Sequence, residues 1–421
     1  MKKRLIPAAI VSLGLVLAAC GGDDETADTA GAETTAAGSE TTAGGSDTTA
    51  AEGTDTSVAS DCSLETPLKI GFAADLGELG AFSDQPGSEA AKVMVDQINA
   101  AGGVGGLPIE YSVKDIQGDP ATTQRAAQEM LDDGVNAIIG PPFANTGAPL
   151  LDTVAGKAPV VFMATTDPSL ADPSRGAFLT SFSDKSQSAA IAEFALGKGY
   201  TKAVTLSSTD DVYFSGNPEY FTTVFTEGGG EVLGDYAYSL ADADFSTQVN
   251  EISNLADKPK VLFTAMVMPQ TQTLLEQLDA AGLGDIVVMG VDGFDATVVW
   301  SAGDIADGVF FAAHTFPQDT NDVEQFLADA ADAGAQIETI SFGALSADSV
   351  QILAAAATQA CSTDPAALTE AINNLEDLKV TTGSVTYKDR NGVPDKDVVI
   401  LTVEGGAPAF VEAMRPANVP D

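Results

Sequence analysis

Ile98-Asn99-Ala100-Ala101-Gly102-Gly103-Val104-Gly105-Gly106-Leu107-Pro108-Ile109 is the stretch that decides how this chain folds. Upstream of it, Ala91, Val93-Met94-Val95 and Ile98 recur at helical spacing, so Gly87 to Ala101 reads as a helix laid on a sheet. Downstream, Ile109 to Val113 reads as a strand. The glycines between them end the helix in left-handed backbone and allow a tight return into the strand. A dinucleotide-binding loop is the competing reading of so many glycines. That loop needs a strand before it and a helix after it. Here the order is reversed, and the nucleotide reading falls.

Outward from this link the rhythm repeats. Leu68 to Ala73 is a buried-type strand before the first helix. Pro120 to Asp133 is a helix with proline at its start. Strand Ala137 to Ile139, a helix from about Thr146 and strand Val160 to Met163 follow. After a break near Asp184, helices Ser186–Lys198, Pro218–Glu227, Ser246–Ala256 and Gln270–Ala281 alternate with strands. Those strands are Ala203–Leu206, Val232–Tyr236, Val261–Thr264 and Ile286–Met289. Repeated βα units mean parallel sheets covered on both faces by helices. Two such series define an α/β chain with two doubly wound parallel-sheet lobes. Ligands of open sheets bind beyond the carboxyl ends of the strands, which here is the cleft between the lobes.

The opening stretch resembles the INAxGGxxGxxI segment of the leucine/isoleucine/valine-binding protein family. Further similar segments come in order: Asp115, Ile139-Gly140-Pro141, Met163 to Pro168, Asp210 to Gly216, and Gly290-Val291-Asp292-Gly293. The resemblance runs from about Leu68 to Val411. It implies the type I periplasmic binding fold, with a three-stretch hinge crossing near Phe182–Lys185, His314–Pro317 and Thr382–Ser384. One lobe is then 66–182 plus 315–383, and includes helices Asp322–Ala333 and Ala344–Ala360. The other is 184–314 plus 384–412.

The resemblance also implies the role. The protein is expected to be the solute-binding component of an ABC importer, binding an amino acid, branched-chain or similar, with an ABC permease as partner. A sensor for amides and a sugar-binding protein share the fold and remain alternatives. A free amino acid needs hydrogen-bond donors for its carboxylate and a buried acid for its ammonium. By resemblance, Asn145, Ala164 and Thr166 are placed for this, although Ala144 or Asn145 stands where the family often has Ser. Asp292 is the acid for the ammonium. Tyr213 and Phe82 are the opposed walls. Each residue has a plainer reading: Thr166 and Asp292 as turn residues, Tyr213 as lobe packing, Phe82 as core cover. Trp300 reads as helix packing and His314 as structural.

The ends and the composition complete the reading. Residues 1–19 form a signal peptide, with bases Lys2, Lys3 and Arg4 before an apolar run. Leu17-Ala18-Ala19-Cys20 resembles a lipobox, in which Cys20 carries lipid and membrane contact is through that anchor alone. Residues 20–60 are an acidic Thr/Ala/Gly/Ser spacer too poor in apolar residues to order itself. The address is therefore extracytoplasmic, on the outer face of the cytoplasmic membrane or in a periplasm. Net charge is -42, which excludes nucleic acid as a partner. Cys62 and Cys361 are an even pair in an exported chain and suggest a disulfide, with two separate thiols as the alternative. One His and no nucleophile elbow leave no catalytic or metal set, so no enzyme, metal or cofactor is expected. A monomer is the simplest assembly.

Overall fold

The computed structural model describes residues 62–267, 269–296 and 302–420. The signal peptide, Cys20, the acidic spacer and Trp300 lie outside the described residues. The first sheet holds β1 (Lys69–Ala74), β2 (Glu110–Asp115), β3 (Ala137–Gly140), β4 (Val160–Phe162) and β5 (Ala177–Leu179). Their order is β2-β1-β3-β4-β5, all parallel. Helices α1 (Ala81–Ala100), α2 (Pro120–Asp132) and α3 (Ala144–Val154) connect them.

The second sheet begins after α4 (Asp184–Gly197). It holds β6 (Lys202–Ser207), β7 (Glu231–Ala237), β8 (Val261–Thr264), β9 (Val287–Gly290) and β10 (Phe310–Ala313), linked by α5 (Val212–Glu227), α6 (Ser246–Ser253) and α7 (Gln270–Ala280). The chain then returns to the first lobe as α8 (Val323–Asp332), α9 (Ile340–Ala360), α10 (Pro365–Asn373) and the hairpin β11 (Leu378–Val380) and β12 (Gly383–Val385). It ends as β13 (Val398–Glu404) and β14 (Ala407–Met414) in the second sheet, whose order is β14-β13-β10-β9-β8-β6-β7. The two last strands are antiparallel, so this sheet is parallel only from β7 to β10.

Both sheets are covered on both faces. In the first, Phe72 and Ile139 pack with α1 and α9, while Ile138 and Phe162 pack with α2 and α3. Central strands β3, β4 and β8 are buried along their whole length, which is why they read as unbroken apolar runs. Helix α9 is apolar and long enough for a bilayer, yet it is a core helix packed on α1.

The glycine link behaves as its composition dictates. Gly103 has φ +74°, and its N–H bonds the Ile98 carbonyl at 2.9 Å to close the helix. The Asn99 side chain then ties helix to strand. It donates to the Ile109 carbonyl at 3.0 Å and accepts from the Ile109 N–H at 2.6 Å.

Helices α1 and α5 start well before the residues the sequence suggests, and each carries a proline inside it. Helix α1 begins at Ala81 rather than Gly87, with Pro86 inside it. Pro86 has no N–H for the Phe82 carbonyl, and the Thr339 hydroxyl supplies the missing donor at 2.8 Å. Helix α5 begins at Val212 rather than Pro218. There the freed Phe214 carbonyl accepts from the Ser208 N–H at 3.3 Å.

The third crossing also lies later than expected. Val385 and Tyr387 are buried in the first lobe's core, and the Tyr387 hydroxyl donates to the Leu179 carbonyl at 2.6 Å. The Gly392 carbonyl accepts from Leu179 N–H at 2.8 Å. The chain therefore leaves the first lobe between Val393 and Val398, and residues 384–393 do not belong to the second. Near this passage Lys396 pairs with buried Asp348 at 2.9 Å. Cys62 and Cys361 are bridged, with Cα atoms 5.4 Å apart and a sequence separation of 299. The bridge pins the segment before β1 to the end of α9, a constraint worth about 2–5 kcal/mol.

Candidate functional site

The ends of β4, β6 and β9 meet the start of α4 between the lobes. Asp184, in the first turn of α4, is the hub. Its Oδ1 accepts from the Thr166 hydroxyl at 2.7 Å, from Asn217 Nδ2 at 2.8 Å and from Gln187 Nε2 at 3.0 Å. Its own N–H donates to the Thr166 carbonyl at 2.7 Å. Thr166 follows β4 of the first lobe, so Asp184 fastens that strand end to the first helix of the second lobe.

The network continues to Asp292. Gln187 Oε1 accepts from the Asp292 N–H at 3.1 Å. Asp292 Oδ1 accepts from the Tyr213 hydroxyl at 2.7 Å, and Oδ2 lies 3.0 Å from His314 Nε2. The Tyr213 oxygen in turn accepts from the Gly293 N–H at 2.9 Å. His314 stacks on Phe182, ring centres 4.2 Å apart, which places it against the first crossing. Asp292 is 3 % exposed and Tyr213 7 %, so both are buried. A buried carboxylate held by one phenol and one imidazole is well placed to pair with a cation.

Burial shapes the titration. Asp184 is pushed up to about 7 by desolvation, with the Asp292 charge adding to the rise. Asp295 is likewise pushed up to about 7 by burial, again with Asp292 adding to it. Tyr213 is driven well above its ordinary value by burial and then by Asp292, so it stays a donor.

The structure brings Thr166, Tyr213 and Asp292 together. Ala164 lies beside them, buried in the first lobe's core. Phe82 is half-buried, set edge-on to Phe342 at 5.3 Å, and packs against core residues of both lobes. It lines a cavity of about 370 Å³ with Gln85, Glu89, Ala296 and Gln336. Asn145 stands apart. Its side chain is on the exposed rim, while the neighbouring Thr146 is buried. Helix α3 starts at Ala144, and a turn of about 100° per residue carries Asn145 to the outside. Only its backbone takes part, its N–H donating across the lobes to Asp211 Oδ2 at 3.2 Å.

Asp184, Gln187, Asn217 and His314 were not legible as site residues. Asp184 reads only as a break before a helix at Ser186, whereas the structure starts that helix at Asp184 with Ser183 as its cap. His314, expected to be structural, bonds the site acid as well as packing. Among the described residues no group of His, Cys, Asp or Glu is arranged to hold a metal ion.

Two α/β lobes with a buried, hydrogen-bonded acid between them define a cleft-type solute-binding protein. The family model described as periplasmic binding protein matches residues 67–407, and the chain belongs to that family. Proteins of this family are extracytoplasmic, non-enzymatic binding components of transporters. The chain is 26 % identical over 348 residues to the Leu/Ile/Val-binding protein BraC3 of Rhizobium johnstonii, covering 80 % of this chain and 92 % of that protein. It is 24 % identical over 342 residues to the leucine-, isoleucine-, valine-, threonine- and alanine-binding protein of Pseudomonas aeruginosa, covering 79 % and 89 %. Among solved structures it is similar to the leucine-binding protein LivK of Thermotoga maritima, with a TM-score of 0.76, 23 % identity and coverage of 83 % and 99 %. It is also similar to a solute-binding protein of R. palustris in complex with benzoate, with a TM-score of 0.73, 18 % identity and coverage of 85 % and 98 %.

Proposed function

We propose that this chain captures a small amino-acid-type solute in the interlobe cleft and delivers it to the permease of an ABC importer, tethered outside the cell by lipid on Cys20. The observation that carries the ligand class is Asp292, a buried carboxylate at the end of β9 whose oxygens meet Tyr213 and His314. A desolvated acid favours an ammonium and repels a bare carboxylate. That favours the branched-chain amino acids named for the relatives over the benzoate held by one neighbour. Asp184 sits at the first crossing and bonds Thr166 of the first lobe and Asn217 of the second. The solute stabilises the closed form by binding it better than the open one. No enzymatic step is assigned to the site.

Calorimetry on the full-length protein with amino acids, aromatic acids and sugars tests the reading. Binding of an amino acid that weakens at least 100-fold in Asp292→Asn is the expected result, with the melting temperature of the free protein nearly unchanged. Binding of sugars or aromatic acids alone would falsify it.

A further inference from the structure

We infer that the cleft selects its solute by the ammonium and dispenses with the carboxylate, so that amino-acid amides and primary amines bind as well as free amino acids. This rests on the solute-capture reading and narrows the chemistry of the same site.

The crevice of an open sheet lies where neighbouring strands send their helices to opposite faces. In the first sheet this is between β1 and β3, because α1 packs on one face and α3 on the other. In the second it is between β6 and β8, with α5 and α7 on opposite faces. The N-termini of these four helices are the natural seats for a ligand's anion. Three of them already carry a carboxylate of the protein. At α1, Asp75 accepts from the Gly80 N–H at 2.8 Å and the Glu78 N–H at 3.0 Å. At α5, Asp211 Oδ1 accepts from the Tyr213 N–H at 3.0 Å. At α3, the other oxygen of Asp211 crosses the cleft to the Asn145 N–H. Asp211 thus stands where a solute carboxylate would dock on the first lobe.

The strand ends and helix starts that border the crevices supply no Lys or Arg for that carboxylate. Segments 75–80, 141–146, 163–167, 208–213 and 290–296 contain no Lys or Arg. Buried acids are plentiful: Asp184, Asp292 and Asp295. Asp295 is 2 % exposed, and its Oδ2 has no hydrogen-bond partner among the described residues. It directly precedes Ala296, which lines the cavity beside Phe82. Burial, reinforced by Asp292, raises both Asp184 and Asp295 to about 7, and an arriving ammonium favours their carboxylate forms.

The test is calorimetry on the full-length protein with matched triplets: the amino acid, its amide and the deaminated acid, for alanine, leucine and phenylalanine. The amide of the best-binding amino acid is expected within tenfold of it or tighter, and the deaminated acid at least 100-fold weaker. An amide more than tenfold weaker than its amino acid overturns the inference and leaves solute capture standing. A deaminated acid that binds best, or no binding by any member, overturns both. Asp211→Asn keeps a capping oxygen for α5 and removes the charge. It is expected to shift the preference toward the free amino acid by about tenfold, and an unchanged ratio counts against the role given to Asp211.

Discussion

Asp184 shows what burial does to one carboxyl. Three donors converge on a single oxygen, yet desolvation wins and raises the folded-state value to about 7. The unfolded value is near 4. The folded protein therefore binds this proton more tightly, and the stabilisation associated with it is present below about pH 4. It is lost as pH rises toward 7. Asp184→Asn keeps an oxygen for the three donors and removes the titration. Melting curves from pH 4 to 8 should show a variant that gains on the wild type as pH increases. Parallel curves would mean that Asp184 is already ionised in the folded state. At this scale the sequence pointed to Asp292, Tyr213 and Thr166 through family resemblance. It was silent on Asp184, Gln187 and Asn217, because a helix-start acid and two amides look the same whether they face solvent or one another.

At the scale of elements, the glycine link is most tightly constrained at Gly103. Gly103 has φ +74°, and a Cβ there would overlap the Leu107 carbonyl. Gly103→Ala is expected to destabilise the protein by about 1–3 kcal/mol, the usual range for a residue forced into strained backbone. Denaturant melts would register this as a lower midpoint at unchanged slope, while an unshifted midpoint would show that the turn can relax. Gly102 and Gly106 meet nothing on adding a Cβ, whereas one on Gly105 would press on Leu64, so crowding falls on Gly103 and Gly105. Helix and strand types were readable from apolar spacing, but helix starts were not. Pro218 looks like a start because proline favours the first turn, and Pro86 stands just before the start read at Gly87. Both sit inside helices, where the Thr339 hydroxyl and the Ser208 N–H take up the carbonyls they leave free. Short β5 and the hairpin β11–β12 left no periodic signal, since three residues are too few to show one.

For the whole molecule, Cys20 carries the proposal that the protein is tethered to the membrane. In cell fractionation, wild-type protein should sediment with membranes and Cys20→Ser should become soluble. Equal partition of the two would remove the lipid anchor. Composition and pattern determined much at this level: a strongly acidic chain and a β–α alternation that calls for covered, mainly parallel sheets. Those conclusions follow from local physics, because apolar spacing, glycine and proline geometry and charge act within a few residues of chain. The passage of residues 384–393 along the first lobe, the antiparallel end of the second sheet and the Asp184–Asp292 network were decided by tertiary structure alone. Each depends on which groups, far apart in sequence, are desolvated together. Thr166 and Asp292 are brought into one network only by the folding of two lobes around a shared hinge, and no spacing along the chain records that.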